Sequence, residues 1–233
     1  MSQEQNPEYR FFGRRKGRPL RGAMLAAFEA RYDALSISNE QIKSADSDLK
    51  GLFPSSVEQV WLEIGFGGGE HLAWQVQHNP DVGMIGCEPF MNGVASMLRH
   101  LSDENACRVR VFSDDARPLL WDLPEGELDR IYILHADPWP KTRHHRRRFI
   151  QTDSVARLHQ LLRPGGELRL ATDDVGYLRW MLARLTAHPG LRWLAGGPSD
   201  WKDRPDDWPE TRYEAKAKRQ GRFCTYLKFQ KTD

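Results

Sequence analysis

"VEQVWLEIGFGGGEHLAWQVQHN", residues 57–79, changes its period at the glycines. Ahead of Gly65 the chain is apolar, aromatic and β-branched, as a buried strand requires. Behind Gly69, "EHLAWQVQHN" reads as a helix. Strand, turn and helix form one unit, and the unit repeats. "VGMIGCEP" (82–89) is a strand and "NGVASMLRHL" (92–101) a helix; "CRVRVFSDD" (107–115) is a strand and "ARPLLWDL" (116–123) a short helix. "LDRIYILHAD" (128–137) is a long strand, and "RRRFIQTDSVARLHQLL" (146–162) a helix that stops at "RPGG". "ELRLATDD" (167–174) and "VGYLRWMLARLTAH" (175–188) complete the series. Five strands alternating with helices predict an α/β domain, a parallel sheet covered on both faces. "LRWLAG" (191–196) and "RFCTYLKFQ" (222–230) are candidates for two further edge strands.

Upstream of this core, "GAMLAAFEARYDAL" (22–35) sets Leu25, Phe28, Tyr32 and Leu35 on one helical stripe. A Ser- and Asp-rich linker follows, to about residue 56. Residues 1–21 are polar and Gly-rich, with six basic residues between Arg10 and Arg21, and read as a flexible basic arm. The remainder, 22–233, reads as a single domain. The formal net charge is only +2, so these cations are local. Residues 141–148 concentrate five more Lys and Arg with His144 and His145. Local basic blocks on a near-neutral chain suggest a polyanion footprint; a solvated face is the alternative for any one of them. Three cysteines without paired spacing exclude a disulfide scaffold and a zinc ribbon, and fit a reducing cytoplasm. No stretch approaches a membrane span, no apolar signal core opens the chain, and Glu4 and Glu8 argue against a transit peptide.

The glycine turn argues against a dinucleotide. A pyrophosphate fingerprint needs a glycine where Glu70 stands, three after Gly67. Acids follow three successive strands instead: Glu63 beside Gly65 and Gly67, then Glu88, then Asp115. Such acids suit a ligand carrying cations and hydroxyls, which describes S-adenosylmethionine: a sulfonium, an ammonium and a ribose diol. Glu88 lies near the usual spacing of a ribose-binding acid. Asp115 follows the third strand, where a carboxylate can accept from the adenine amino group. Each acid alone can equally be a turn residue or an N-cap.

"DPWPKTRHHRRRF" (137–149) joins a stiff anionic turn to the most cationic run in the chain. Pro138 and Pro140 fix their own φ and push their predecessors out of the helical region, so Asp137 and Trp139 are held rigidly at a strand end. Packing in the core is the alternative for Trp139. With "EIGFGGGEH", "GCEP", "ATDD" and "TRYE", in this order, this stretch resembles the bacterial tRNA (guanine-N7)-methyltransferases over residues 8–230.

The resemblance implies a Rossmann-like class I methyltransferase fold with a mostly parallel seven-stranded sheet. It implies that Glu63, Gly65, Gly67, Glu88, Asp115 and Asp137 bind S-adenosylmethionine, with Asp137 also catalytic. Lys141, Asp173, Thr211, Arg212, Tyr213 and Glu214 would contact substrate. Arg143, His144, His145, Arg146, Arg147 and Arg148 would contact RNA, with the arginines at the opening of the 146–162 helix. The partner is tRNA, at its variable-loop guanine, with neither DNA nor membrane. "TRYE" is also an ordinary capping box, and Asp173 a candidate helix cap. His144 and His145 are adjacent and make a poor metal pair, so no metal is expected. Two other functions fit parts of the pattern: an amino-group methyltransferase on nucleic acid, and a non-catalytic RNA-binding module on this scaffold.

Overall fold

The computed structural model describes residues 12–45 and 48–232. Residues 1–11 of the basic arm lie outside that range. Seven strands form one sheet: β1 (Gln59–Ile64), β2 (Val82–Cys87), β3 (Val109–Phe112), β4 (Leu128–Leu134), β5 (Leu162–Thr172), β6 (Leu191–Trp193) and β7 (Thr225–Lys231). Their order is β3-β2-β1-β4-β5-β7-β6. The first five run parallel, and β7 is antiparallel to both neighbours. The chain crosses over between β1 and β4, the switch point where such sheets bind ligands. Of the two candidate edge strands, only β6 lies at an edge. "RFCTYLKFQ" enters the sheet between β5 and β6, because its burial on both faces needs covered neighbours.

The helices are α1 (Gly22–Leu35), α2 (Asn39–Ser44), α3 (Glu70–His78), α4 (Met91–His100), α5 (Asp103–Ala106), α6 (Ala116–Asp122), α7 (Thr152–Leu161), α8 (Val175–Leu185), α9 (Ser199–Lys202) and α10 (Arg212–Arg219). None of them is long and apolar enough to cross a membrane. Side chains alternate across each strand, so β1 feeds two cores. Val60, Leu62 and Ile64 pack with Ile131, Leu168, Leu158 and Tyr177 on one face. Trp61 packs with Met84, Tyr132, Leu72 and Met97 on the other.

Three elements differ from expectation. The described residues of the 36–56 linker are structured: Ser38 and Gln41 close a capping box at α2, and Ile42, Leu49 and Phe53 enter the core. Two of its polar residues are caps: Ser38 at α2 and Asp48 before a 3-10 turn at Leu49–Leu52. On α1 only Leu35 is buried; Leu25 is exposed, while Phe28 and Tyr32 stack at 4.4 Å on the second core. The helix expected from Arg146 starts at Thr152, behind a box between Gln151 and Ser154. Residues Thr142–Arg147 form a separate 3-10 turn. Arginines in a first helical turn oppose the macrodipole, and here they precede the helix.

Candidate active site

The carboxyl ends of β1, β2, β3 and β4 surround a cleft of about 790 Å³. Its floor is the glycine turn. Gly65 lines it with φ +74, and a Cβ there would meet nothing within 4 Å, so the backbone lies open to a ligand. Gly69, the N-cap of α3, has φ +78, and a Cβ would sit 2.2 Å from Met97. Only glycine serves there.

Glu88 lines the cleft and holds the turn. One carboxylate oxygen accepts from the Gly67 N–H at 2.8 Å, the other from the Phe90 N–H at 2.9 Å. A carboxylate has about four acceptor positions, so two remain for a ligand. Burial pushes its pKa up; the two backbone N–H groups oppose this, and the charges of Asp137 and Glu63 add to it. Asp115 also lines the cleft. It caps α6, accepting from the Arg117 N–H at 3.1 Å, and pairs with the Arg117 guanidinium at 3.0 Å. Thus the cap and the cleft-facing acid are one residue.

Glu63 is placed differently from the sequence expectation. It is 2% exposed and lies outside the cleft lining. Its Oε2 lies 2.8 Å from Nδ1 of buried His71. The Gln75 amide nitrogen, 3.1 Å from His71 Nε2, can only donate, so Nδ1 carries the proton and donates to Glu63. Glu63 therefore anchors α3 to β1 behind the turn.

The "HADPWP" segment forms the opposite wall. His135 (φ 53) and Trp139 (φ 40) both adopt the left-handed region, which non-glycine residues seldom occupy. Such strain clusters at functional sites. Between them Asp137 is exposed to the cleft, and the Pro138 carbonyl is held by Arg148 Nε at 2.8 Å. Trp139 is not core: it lines the cleft, edge-on to Phe12 at 6.1 Å and to His144 at 5.8 Å, with the Arg147 guanidinium 5.0 Å away.

The basic run divides. Lys141, Arg143 and Arg146 are exposed, and His144 and His145 half-buried. Arg147 lies over Phe12 at 4.0 Å and lines the cleft. Arg148 is 3% exposed, under its bond to Pro138 and over Trp180 at 4.7 Å. A buried guanidinium cannot reach a phosphate, so Arg148 leaves the expected RNA set.

The "TRYE" residues divide likewise. Thr211 caps α10, accepting from the Glu214 N–H at 3.2 Å. Arg212 and Tyr213 line the cleft, Arg212 pairing with Glu70 at 3.2 Å. The Tyr213 ring faces His135, with centroids 6.4 Å apart and planes 21° apart. Burial raises the Tyr213 pKa and lowers that of His135. Glu214, 2% exposed, accepts the Tyr226 hydroxyl at 2.6 Å and leaves the substrate set for the same reason as Arg148. Asp173 lies outside the cleft lining, in an ion pair with Arg222. Asp174, not Asp173, caps α8.

Sequence reading missed His135, Asn92 and the docking of the arm. Residues 12–18 lie along the cleft mouth. The Met91 N–H donates to Arg15 O at 3.0 Å, the Gly17 N–H to Asn92 Oδ1 at 2.8 Å, and Asn92 Nδ2 to Arg18 O at 2.7 Å. Phe12 and Arg14 complete the lining. An aromatic among arginines is the one local signal for this docking.

Residues 57–227 match a protein family described as "Putative methyltransferase". A tRNA (guanine-N(7)-)-methyltransferase of Rhodospirillum rubrum is 47% identical over 232 residues, 99% of this chain and 91% of its own. One from Agrobacterium fabrum is 44% identical over 219 residues, 94% of each chain. Among solved structures, an antibiotic-related methyltransferase superposes with a TM-score of 0.53 at 14% identity, covering 84% of this chain and 95% of its own. The 16S rRNA methyltransferase KamB gives 0.51 at 16% identity, covering 81% and 94%. At such identities the likeness is one of fold.

Proposed function

The chain belongs to the tRNA (guanine-N(7)-)-methyltransferase family, and from that membership we propose the reaction and the roles of its residues. The enzyme transfers a methyl group from S-adenosylmethionine to N7 of a guanine in tRNA; we assign the variable-loop guanine. The observation that carries this reading is one cleft that has Glu88 on one wall, Asp137 on the other and the basic turn at its rim.

The donor set fits the methyl donor. Glu88 keeps two acceptor positions for a ribose diol, Asp115 sits where adenine binds in such folds, and Gly65 leaves its backbone open. When bound, S-adenosylmethionine supplies an electrophilic methyl group on a sulfonium. Guanine N7 carries an in-plane lone pair and loses no proton before attack. What remains for the protein is orientation and charge. Asp137 accepts from the N1–H and amino donors of the base and offsets the positive charge that develops on the ring. Its neighbours cannot relax easily: two prolines and the Arg148 bond hold the turn. His135 and Tyr213 supply flat faces for the purine. Lys141, Arg143 and Arg146 hold phosphates, Arg147 shapes the cleft wall, and Asp173 and Thr211 act at the substrate rim.

Residues 22–233 act as one domain, and residues 12–18 of the arm border the cleft. Three free cysteines, two of them buried, and a tRNA substrate support a cytoplasmic enzyme. DNA and membranes are not partners.

Methyl transfer to unmodified tRNA, with nucleoside analysis of the product, tests the reading. N7-methylguanosine at the variable-loop position is expected. A methyl on the guanine amino group would make this an amino-group enzyme, and tRNA binding without transfer would make it a binding module.

A further inference from the structure

Beyond Tyr213, α10 and the loop behind it carry an exposed face that the mechanism above leaves unused. Glu214 and Ala217 bury the inner face of this helix. Tyr213, Lys216 and Arg219 are three residues apart and exposed. At about 1.5 Å per residue this stripe runs about 9 Å outward from the cleft. Lys218 is taken up by Glu210 at 2.7 Å, and Arg222 by Asp173. Lys216 and Arg219 make no ion pair among the described residues.

The next segment returns to the same edge of the sheet. Because β7 is antiparallel, its first residue, Thr225, pairs with Thr172, the last of β5. The loop before it therefore emerges where the parallel strands end, beside Asp173. In this loop Phe223 is 89% exposed, while the adjacent Cys224 is buried. Cys224 already anchors the entry into β7, so the fold gains nothing from the phenyl ring. Two other exposed large side chains, Phe12 and Tyr213, are explained by lining the cleft. A bare aromatic on the loop that turns back against the end of α10, through Arg222 N–H to Ala217 O at 2.9 Å, follows two uncompensated cations in the chain; unpaired RNA requires such a set, a platform for a base and charges for its phosphates. An acidic peptide would satisfy the cations but leave the ring without an apolar groove to share.

We infer that Lys216, Arg219 and Phe223 form a second RNA-binding surface, across the cleft from the basic 3-10 turn. Phe223 stacks on an unpaired nucleotide near the target guanine, and Lys216 and Arg219 hold the adjoining phosphates. The inference rests on the tRNA reading above.

The test uses the full chain, unmodified tRNA and filter binding over a salt series, with calorimetry for S-adenosylmethionine. Phe223→Ala weakens tRNA binding about tenfold or more, with the salt slope intact, and Phe223→Trp restores affinity. Lys216→Ala with Arg219→Ala lowers the slope by about 1.4–1.8. Cofactor affinity stays at the wild-type value in all of them. Wild-type tRNA affinity in Phe223→Ala overturns the inference. So does a loss that Trp fails to restore, which marks a purely structural ring. If the wild type binds tRNA but transfers no methyl, the catalytic reading falls, and the surface is still judged by Phe223→Ala. If it binds no tRNA, both fall.

Discussion

Replacing Arg143 and Arg146 together with alanine separates the cations that meet RNA from those that build the site. Both are exposed on the 3-10 turn at Thr142–Arg147. Arg147 is stacked on Phe12 and Trp139, and Arg148 is buried under Pro138. Each phosphate contact contributes about 0.7–0.9 to the slope of log affinity against log salt. Removing two contacts therefore lowers the slope by about 1.4–1.8. Between 50 and 200 mM salt, the wild type should lose about one decade more affinity than the double variant. Because neither side chain is buried, the melting temperature should not move. Filter binding with unmodified tRNA at four or five salt concentrations reads the slope directly. S-adenosylmethionine affinity, measured by calorimetry, should equal that of the wild type, since the lining carboxylates are untouched. A slope equal to wild type would show that these arginines are a solvated face. A lowered slope with equally weakened cofactor binding would show that the turn shapes the cleft and does not simply hold phosphate.

Arg148→Ala should behave oppositely. It loses the bond to Pro138 and the stacking on Trp180, about 2–4 kcal/mol together, so Tm should fall by roughly 5–15 °C with the salt slope unchanged. A wild-type melting curve would return Arg148 to the surface set. Asp137→Asn keeps the shape of an exposed residue and removes its charge; turnover should drop about 100-fold with Tm intact, and near wild-type turnover would exclude a charge-dependent role. Glu88 accepts ribose hydroxyls as the carboxylate, and burial raises its pKa. As pH falls through that raised value the acid protonates, so S-adenosylmethionine affinity should fall at a higher pH than an ordinary carboxylate allows. Glu88→Gln should weaken binding by about 1.5–3 kcal/mol and abolish this limb; a limb that survives belongs to another group.

Periodicity and glycines were enough to specify the alternating parallel sheet, its first five strands and the edge where such sheets bind ligands. Each follows from local rules: burial on both faces selects apolar runs, and a turn between strand and helix selects glycine. The linear motifs also led to Glu88, Asp115, Asp137, Arg212 and Tyr213, all of which line one cleft. What periodicity could not tell was where a polar side chain spends its bonds. Glu63 and Glu214 are acids of the same type as Glu88, yet His71 and Tyr226 hold them out of the cleft. Arg143 and Arg148 stand in one run, yet one meets water and the other a carbonyl. The Ser- and Asp-rich segment reads as a linker until its caps are seen around Ile42 and Leu49. Phe12 reaches Trp139 across more than a hundred residues, and Phe223 reaches the active edge only because β7 runs antiparallel. A polar group's partner is chosen by whatever the fold brings within about 3 Å. Local sequence contains no term for that distance, so the tertiary structure alone assigns it.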